Sequence, residues 1–179
     1  TLPSKGIRMC PKKAAIIYNR PAAGRYSRLG EDKAELGIMD EQKAVGKALR
    51  TLGYEVEKFP LSPPLEKVRQ TIGNIDADII VNLFEGFMDS PETEPAIAEM
   101  LVDRKIPYTG CPPSILSLAL DKARTKAVLA ASGIQTPRYQ VLTPDTVAAL
   151  NLDFPCMVKP GGEDASHANS ETTDYNHPA

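Results

Sequence analysis

Short apolar runs alternate with amphipathic stretches along the first half of the chain. Residues 14–18 and 79–84 are apolar runs typical of buried parallel strands, and residues 54–59 alternate in polarity with a period of two. Between them, residues 40–52 and 63–72 each place apolar side chains on one helical face. A strand–helix–strand–helix–strand order requires crossover connections, so it predicts an α/β fold: a Rossmann-like parallel sheet covered by helices.

The connections of this predicted sheet are the first candidates for function. Residues 19–33 are polar, lack periodicity and predict a long loop, either functional or disordered. Residues 93–104 predict a helix that is acidic at its start and basic at its end, and residues 106–110 predict a short strand and turn. Ligands of such sheets bind beyond the carboxyl ends of the strands. Three loops are therefore candidates: those after Tyr18, after Phe84 and around Gly110.

Composition shifts near residues 111–113, where we place the end of a first domain spanning residues 12–111. Beyond this boundary the pattern predicts two helices, a strand, a short helix and a second strand, at residues 114–119, 121–132, 138–142, 143–150 and 156–159. These elements form the beginning of a second domain, residues 112–167. Residues 168–179 are polar and unpatterned, and they predict a tail.

Charge and composition exclude several classes of function. A net charge of −2 argues against a nucleic-acid binder, and no apolar run approaches the roughly 20 residues that a membrane span needs. Residues 1–11 lack the apolar core of a secretory signal. Cys10, Cys111 and Cys156 show no metal-ligand spacing and are expected to be free thiols in a reducing cytoplasm. The two histidines are too few for a histidine-rich metal site.

Two lysines and a glycine pair carry the strongest chemical signal. Lys122 lies in the first turn of a predicted helix, where exposed amides favour anions. Lys159 ends an apolar strand and precedes Gly161 and Gly162, whose amides can bind phosphate oxygens. Taken alone, Lys122 is better explained as part of a solvated helix face with Arg124 and Lys126, whereas Lys159 alone is equally compatible with a surface lysine before a turn. The two lysines together with the glycine loop predict a nucleotide-phosphate site.

Four stretches, in this order and spacing, resemble the ATP-grasp superfamily and within it the D-alanine–D-alanine ligase group of carboxylate–amine ligases. They are VNLFEG at residues 81–86, IPYTG at 106–110, LALDKARTK at 118–126, and FPCMVKP at 154–160 with EDASH at 163–167. The agreement in order and spacing is more specific than any single stretch. The resemblance extends over residues 14–167.

The resemblance implies a pre-ATP-grasp, Rossmann-like first domain followed by the start of a small nucleotide-binding ATP-grasp subdomain. Lys122 and Lys159 would hold the phosphates of ATP. Gly161, Gly162 and Ser166 would lie in the loop that closes over those phosphates. The cofactors implied are ATP and Mg²⁺.

The resemblance also implies a reaction and a substrate site. MgATP would phosphorylate a carboxylate, and an amine would attack the resulting acyl phosphate, which needs positioning and charge neutralisation rather than a protein nucleophile. No catalytic residue is therefore assigned. Glu85 would lie near the acceptor pocket, where the family usually has a histidine, and Asn19–Pro21 replace a glycine-rich segment that carries a glutamate. The implied substrate is an amino acid or another small carboxylate.

The Mg²⁺ ligands and the adenine-binding hinge of the family have no counterpart in this sequence. Glu163 and Asp164 belong to the phosphate loop and do not form a bidentate metal set, so no metal ligand is assigned. On this basis the chain is expected to be truncated or a fragment, and to be inactive alone. Two alternatives are open: a non-catalytic module that binds a small acid or a partner protein, and a fragment that dimerises through its first domain.

Overall fold

The structure is a computed structural model that describes residues 12–20, 32–87, 90–159, 161–162 and 174–175. Over these residues it confirms the predicted α/β fold, with a three-stranded parallel sheet and five helices. The elements are β1 (Lys13–Asn19), α1 (Asp32–Thr51), β2 (Glu55–Leu61), α2 (Leu65–Gly73), β3 (Ile79–Leu83), α3 (Thr93–Arg104), α4 (Pro113–Leu120), α5 (Lys122–Ala131), a 3₁₀ turn (Val147–Ala149), β4 (Cys156–Met157) and β5 (Asp174–Tyr175).

The sheet has the strand order β2-β1-β3, and all three strands are parallel. A short extension pairs beside β3, where the Ile80 amide donates to the Pro107 carbonyl at 2.8 Å and the Thr109 amide donates to the Ile80 carbonyl at 3.0 Å. The chain leaves β1 toward β2 on one side, and β3 lies on the other side. The topological switch point of the sheet is therefore between β1 and β3, because the connections that follow these two strands run to opposite sides.

The central strand is buried on both faces. Residues 14–17 of β1 are at most 1% exposed. Helix α1 covers the face of the sheet that carries Ile16. On the opposite face, Ile17 and Ile80 are also fully buried. Ile16, Tyr18 and Ile38 form the cluster under α1, with Val45 and Leu49 packed against it. Each fully buried isoleucine contributes about 1.5–3 kcal/mol.

The structure corrects the predicted start of the first helix. α1 begins at Asp32, whereas the sequence pattern predicts a helix that starts at Asp40. Ile38 is 8% exposed and continues the apolar stripe of Val45 and Leu49 toward the amino end. Gly37 beside it obscured the helical pattern. Residues 21–31 of the predicted loop lie outside the described residues.

The second half of the chain also departs from prediction. Residues 138–142 form no strand; the Gln140 side chain instead donates to the Ala149 carbonyl and accepts from the Asn151 amide, both at 2.8 Å. β4 is limited to Cys156–Met157, and the predicted short helix is a single 3₁₀ turn. Asp174–Tyr175 pair antiparallel with β4, so the segment predicted as an unpatterned tail contains a short strand.

The chain divides into two compact units. The first contains β1, Lys33–Phe84 and Glu99–Gly110; the second contains Glu85–Ala98 and the chain from Cys111 onward. The first unit contains the buried sheet. In the described part of the second unit beyond Gly110, no residue is fully buried, and Val141 is 67% and Met157 61% exposed. Among the residues that the structure places, no helix combines the length and apolar character of a membrane span.

Candidate functional site

The start of α5 is fixed by a side-chain cap. Asp121 Oδ1 accepts a hydrogen bond from the Arg124 amide at 2.9 Å, the usual arrangement for an aspartate before the first turn. The Thr125 hydroxyl donates to the Leu118 carbonyl at 2.7 Å and ties α5 to α4. Lys122 is thereby held in the first turn, as the sequence predicts. The Asp121 carboxylate therefore occupies part of the helix end at which an anion could otherwise bind.

The glycine loop lies against this helix start. The Lys122 amide donates to the Gly161 carbonyl at 3.4 Å, which brings two of the predicted site residues together. Gly161 and Gly162 are exposed, and among the residues that the structure describes no atom lies within 4 Å of the position that a Cβ would occupy at either glycine.

Lys159 belongs to the same segment. It follows β4 by two residues and precedes Gly161 by two, and it is exposed. Within the described part of the chain, its ammonium group forms no ion pair. Ser166, the remaining predicted phosphate-loop residue, lies outside the described residues, as do Glu163 and Asp164.

Lys126, the last residue of the LALDKARTK stretch, has a structural role. Its ammonium group donates to the Pro137 carbonyl at 2.8 Å and lies 5.4 Å from the centroid of the Tyr139 ring. The Tyr139 hydroxyl in turn donates to the Ala123 carbonyl at 3.3 Å. These contacts fasten residues 137–139 to α5. The sequence assigns no separate role to Lys126, because the residues that it contacts are distant in the chain.

Polar side chains fix the carboxyl end of β3. The backbone N–H of Asn82 donates to the Thr109 hydroxyl at 3.0 Å, and the side-chain Oδ1 of Asn82 accepts from the backbone N–H of Phe84 at 3.1 Å. Gly110 has a φ of +114°, and a Cβ added at this position would lie 3.8 Å from Asn82 Nδ2. Asn82 is not among the residues predicted from sequence. Its signal was a polar residue within an otherwise apolar strand.

Glu85 follows the end of β3 by two residues and is exposed. The turn after it is constrained by Gly86, whose φ is +85° and whose added Cβ would lie 3.2 Å from the Pro91 carbonyl oxygen. The Thr93 hydroxyl accepts from the Phe87 amide at 2.8 Å and donates to the Ser90 carbonyl at 2.6 Å. Thr93, which sequence reasoning missed, therefore holds the turn that follows Glu85.

The described residues offer no ready metal centre: none of their histidine, cysteine, aspartate and glutamate side chains form a group of three or more placed to hold an ion. Lys122, Lys159 and the open loop at Gly161 and Gly162 fit a nucleotide phosphate, which needs cationic side chains and accessible amides. Phosphate binding at these residues stays a prediction, and the described residues supply no ligand set for the Mg²⁺ that ATP would carry.

Comparison with curated proteins places the chain beside one group. It is 35% identical to a D-alanine–D-alanine ligase of Cereibacter sphaeroides over 120 residues, 66% of this chain and 37% of the relative. It is 32% identical over 166 residues to a D-alanine–D-alanine ligase of Glaesserella parasuis, which covers 87% of this chain and 48% of the relative. It is 45% identical over 157 residues to a D-alanine–D-alanine ligase of Pseudomonas putida, which covers 86% of this chain and 44% of the relative. The chain thus spans less than half the length of these relatives. No family model matches, and no solved structure matches.

Proposed function

Because this chain is related to the D-alanine–D-alanine ligases of the ATP-grasp superfamily, we propose that it supplies the first part of an ATP-dependent carboxylate–amine ligase. Residues 12–111 form the pre-ATP-grasp domain, residues 112–167 begin the nucleotide-binding subdomain, and residues 168–179 follow as a tail. The substrate is a small amino acid or carboxylate, and the compartment is the cytoplasm. Cys111 and Cys156 are free thiols, which suits that compartment.

The observation that carries the proposal is the contact between the Lys122 amide and the Gly161 carbonyl. It joins the LALDKARTK stretch to the glycine pair that follows FPCMVKP, and these two segments lie far apart in sequence. Lys122 and Lys159 neutralise phosphate charge, while Gly161, Gly162 and Ser166 cover the phosphates. ATP bound there would transfer its γ-phosphoryl group to the substrate carboxylate and leave as ADP; an amine would then attack the acyl carbon and displace inorganic phosphate.

Glu85 is the candidate substrate residue. Its backbone is fixed by the end of β3 on one side and by the Gly86 turn on the other. A carboxylate so placed suits the ammonium group of an amino-acid substrate, because an exposed carboxylate pairs with a cation by a charge-assisted hydrogen bond. A Glu85→Gln variant keeps the shape and removes that charge.

The test is two-dimensional ¹⁵N–¹H NMR of the chain during addition of MgATP. Saturable shifts are expected at the amides of Lys122, Lys159, Gly161 and Gly162. Lys122→Met and Lys159→Met each remove a charged hydrogen-bond donor, so each weakens binding by about tenfold to a hundredfold. Lys67→Met on α2, an exposed lysine of the first unit, is the matched control and keeps full binding.

Unchanged binding in both lysine variants would overturn the phosphate site. The better explanation would then be the alternative, a non-catalytic module that binds a small acid or a partner protein. Dimerisation through the first domain is a separate prediction. The molecular mass of the protein in solution tests it, because a dimer has twice the mass of the monomer.

A further inference from the structure

The turn that follows Glu85 is closed by a buried hydroxyl group. Thr93 is 5% exposed, and its Oγ1 accepts a hydrogen bond from the backbone N–H of Phe87 at 2.8 Å. The same hydroxyl donates to the Ser90 carbonyl at 2.6 Å, and the backbone N–H of Ser90 donates to the Phe87 carbonyl at 2.8 Å. One buried side chain therefore satisfies both a backbone donor and a backbone acceptor of this turn.

Gly86 joins this turn to Glu85. Gly86 is buried and has a φ of +85°, and a Cβ added there would lie 3.2 Å from the carbonyl oxygen of Pro91 and 3.3 Å from Pro91 Cα. The backbones of Gly86 and Pro91 are therefore packed closely together. Glu85, the residue before Gly86, is exposed and belongs to the same compact unit as the turn. The geometry of the turn consequently determines where the Glu85 carboxylate lies.

Thr93 is also the first residue of α3, so its hydroxyl has a simpler possible role as a helix cap. A side chain that caps a helix accepts from an amide two or three residues later in the chain. Thr93 Oγ1 instead accepts from the amide of Phe87, six residues earlier, and donates to Ser90, three residues earlier. Its hydrogen bonds are therefore directed at the turn.

We propose that Thr93 is a positioning residue, which holds Glu85 where its carboxylate pairs with the ammonium group of the amino-acid substrate. This inference rests on the proposed function, in which Glu85 is the substrate residue. A charge-assisted hydrogen bond needs a carboxylate in a defined place, and a displacement of about 1 Å weakens such an interaction strongly. Loss of the Thr93 hydroxyl should thus act on substrate affinity through Glu85.

D-Alanine is the probe, added in the presence of MgATP while ¹⁵N–¹H NMR follows the amides of Glu85 and Gly86. Thr93→Val keeps the side-chain shape and removes the hydroxyl, whereas Thr93→Ser keeps the hydroxyl. Thr71→Val on α2 is the matched control, because it removes a threonine hydroxyl that donates to the Lys67 carbonyl at 2.9 Å. We expect affinity for D-alanine about tenfold lower in Thr93→Val, and close to that of the parent chain in Thr93→Ser and Thr71→Val.

Repeating Thr93→Val in the Glu85→Gln variant separates positioning from a purely structural role. Glu85→Gln has already lost the charge that pairs with the ammonium group, so the added Thr93→Val should lower the affinity by less than about twofold. MgATP affinity should be equal in Thr93→Val and in the parent chain. Gly86→Ala, which strains the same turn, repeats the test should Thr93→Val fail to fold, and the same selective loss is expected.

Three results would overturn the proposal: no saturable D-alanine shifts in the parent chain, equal D-alanine affinity in Thr93→Val and Thr71→Val, or an equal loss from Thr93→Val with and without Glu85→Gln. Any of these with MgATP shifts retained at Lys122 and Gly161 overturns the role of Thr93 and leaves the phosphate site standing. An absence of those MgATP shifts from the parent chain contradicts the proposed function instead.

Discussion

Two glycines on α1 show how neighbouring atoms determine whether a Gly→Ala substitution stabilises the fold. Gly37 is exposed, and no described atom lies within 4 Å of the position that an added methyl group would take there, whereas a methyl group at Gly46 would lie 3.2 Å from Lys58 Cε. Glycine in a helix costs roughly 0.5–1 kcal/mol relative to alanine, because it loses more backbone freedom on folding. Of these two glycines, only Gly37 is therefore expected to give the full stabilisation when it is replaced by alanine.

We expect Gly37→Ala to raise the free energy of unfolding by about 0.5–1 kcal/mol. Gly46→Ala should gain less, because the Lys58 side chain must shift to admit the methyl group. Urea denaturation of the two variants, analysed with a common slope, gives the comparison. An equal or larger gain for Gly46→Ala would show that Lys58 is not packed as described.

At the scale of elements, the start of β1 is joined to the segment before β3. The Lys13 amide donates to Asp78 Oδ2 at 2.7 Å, and the Lys13 ammonium pairs with Asp76. The hydrogen bond and charge of Lys13 hold the pKa of Asp76 below its ordinary value, and those of Asp76 raise the pKa of Lys13. Both side chains are exposed, so the pair is weak and sensitive to salt.

The pair gives a defined pH dependence. A lowered carboxyl pKa stabilises the fold above the unfolded-state pKa, and that contribution is lost as the pH falls. A raised lysine pKa stabilises the fold below the unfolded-state pKa of lysine, and that contribution is lost as the pH rises. The stability difference between the parent chain and Asp76→Asn should therefore be largest near neutral pH and shrink below about pH 4 and above about pH 10. Urea denaturation across this range measures it, and a pH-independent difference would contradict the assignment.

α5 is coupled to residues 137–139 through Lys126. We expect Lys126→Met to lower the free energy of unfolding by about 1–2 kcal/mol, because it removes a hydrogen bond to the Pro137 carbonyl and the contact with the Tyr139 ring. Arg124→Met is the control on the same helix, since the Arg124 side chain forms none of the described hydrogen bonds. Thermal unfolding distinguishes the two. Equal effects would mean that Lys126 contributes only its charge.

The sequence predicts elements well where their apolar pattern is local. β1 contains a continuous apolar run at residues 14–18, β3 is apolar except for Asn82, and α2 buries Val68 and Ile72 on the predicted face. Residues 138–142 have a strand-like composition, but a strand exists only where a partner is paired with it, and the local sequence does not encode that partner. Lys122 could be placed at the start of α5 through its motif, and its role in binding phosphate stays a prediction. The structural role of Asn82 was not predicted from the sequence, because its partner Thr109 is twenty-seven residues away.

At the scale of the whole molecule, the two units differ in how much apolar surface they bury. The first unit has a sheet in which residues 14–17 of the central strand are at most 1% exposed. The described residues of the second unit beyond Gly110 keep large apolar side chains such as Val141 and Met157 at the surface. The proposed phosphate site lies in this second unit, and the chain covers less than half of its ligase relatives. The ligase activity is therefore best tested on the protein isolated from its source cell, alongside its intact mass.

The deciding measurement is ADP release from MgATP by that protein, with and without a panel of small amino acids and carboxylates. We expect ADP release that requires one of these substrates. We also expect a loss of about tenfold or more in Lys159→Met, because a charged phosphate ligand is gone, with little change in Lys67→Met. ADP release that ignores every substrate, or that is equal in the two lysine variants, would contradict the assignment of this chain to a carboxylate–amine ligase.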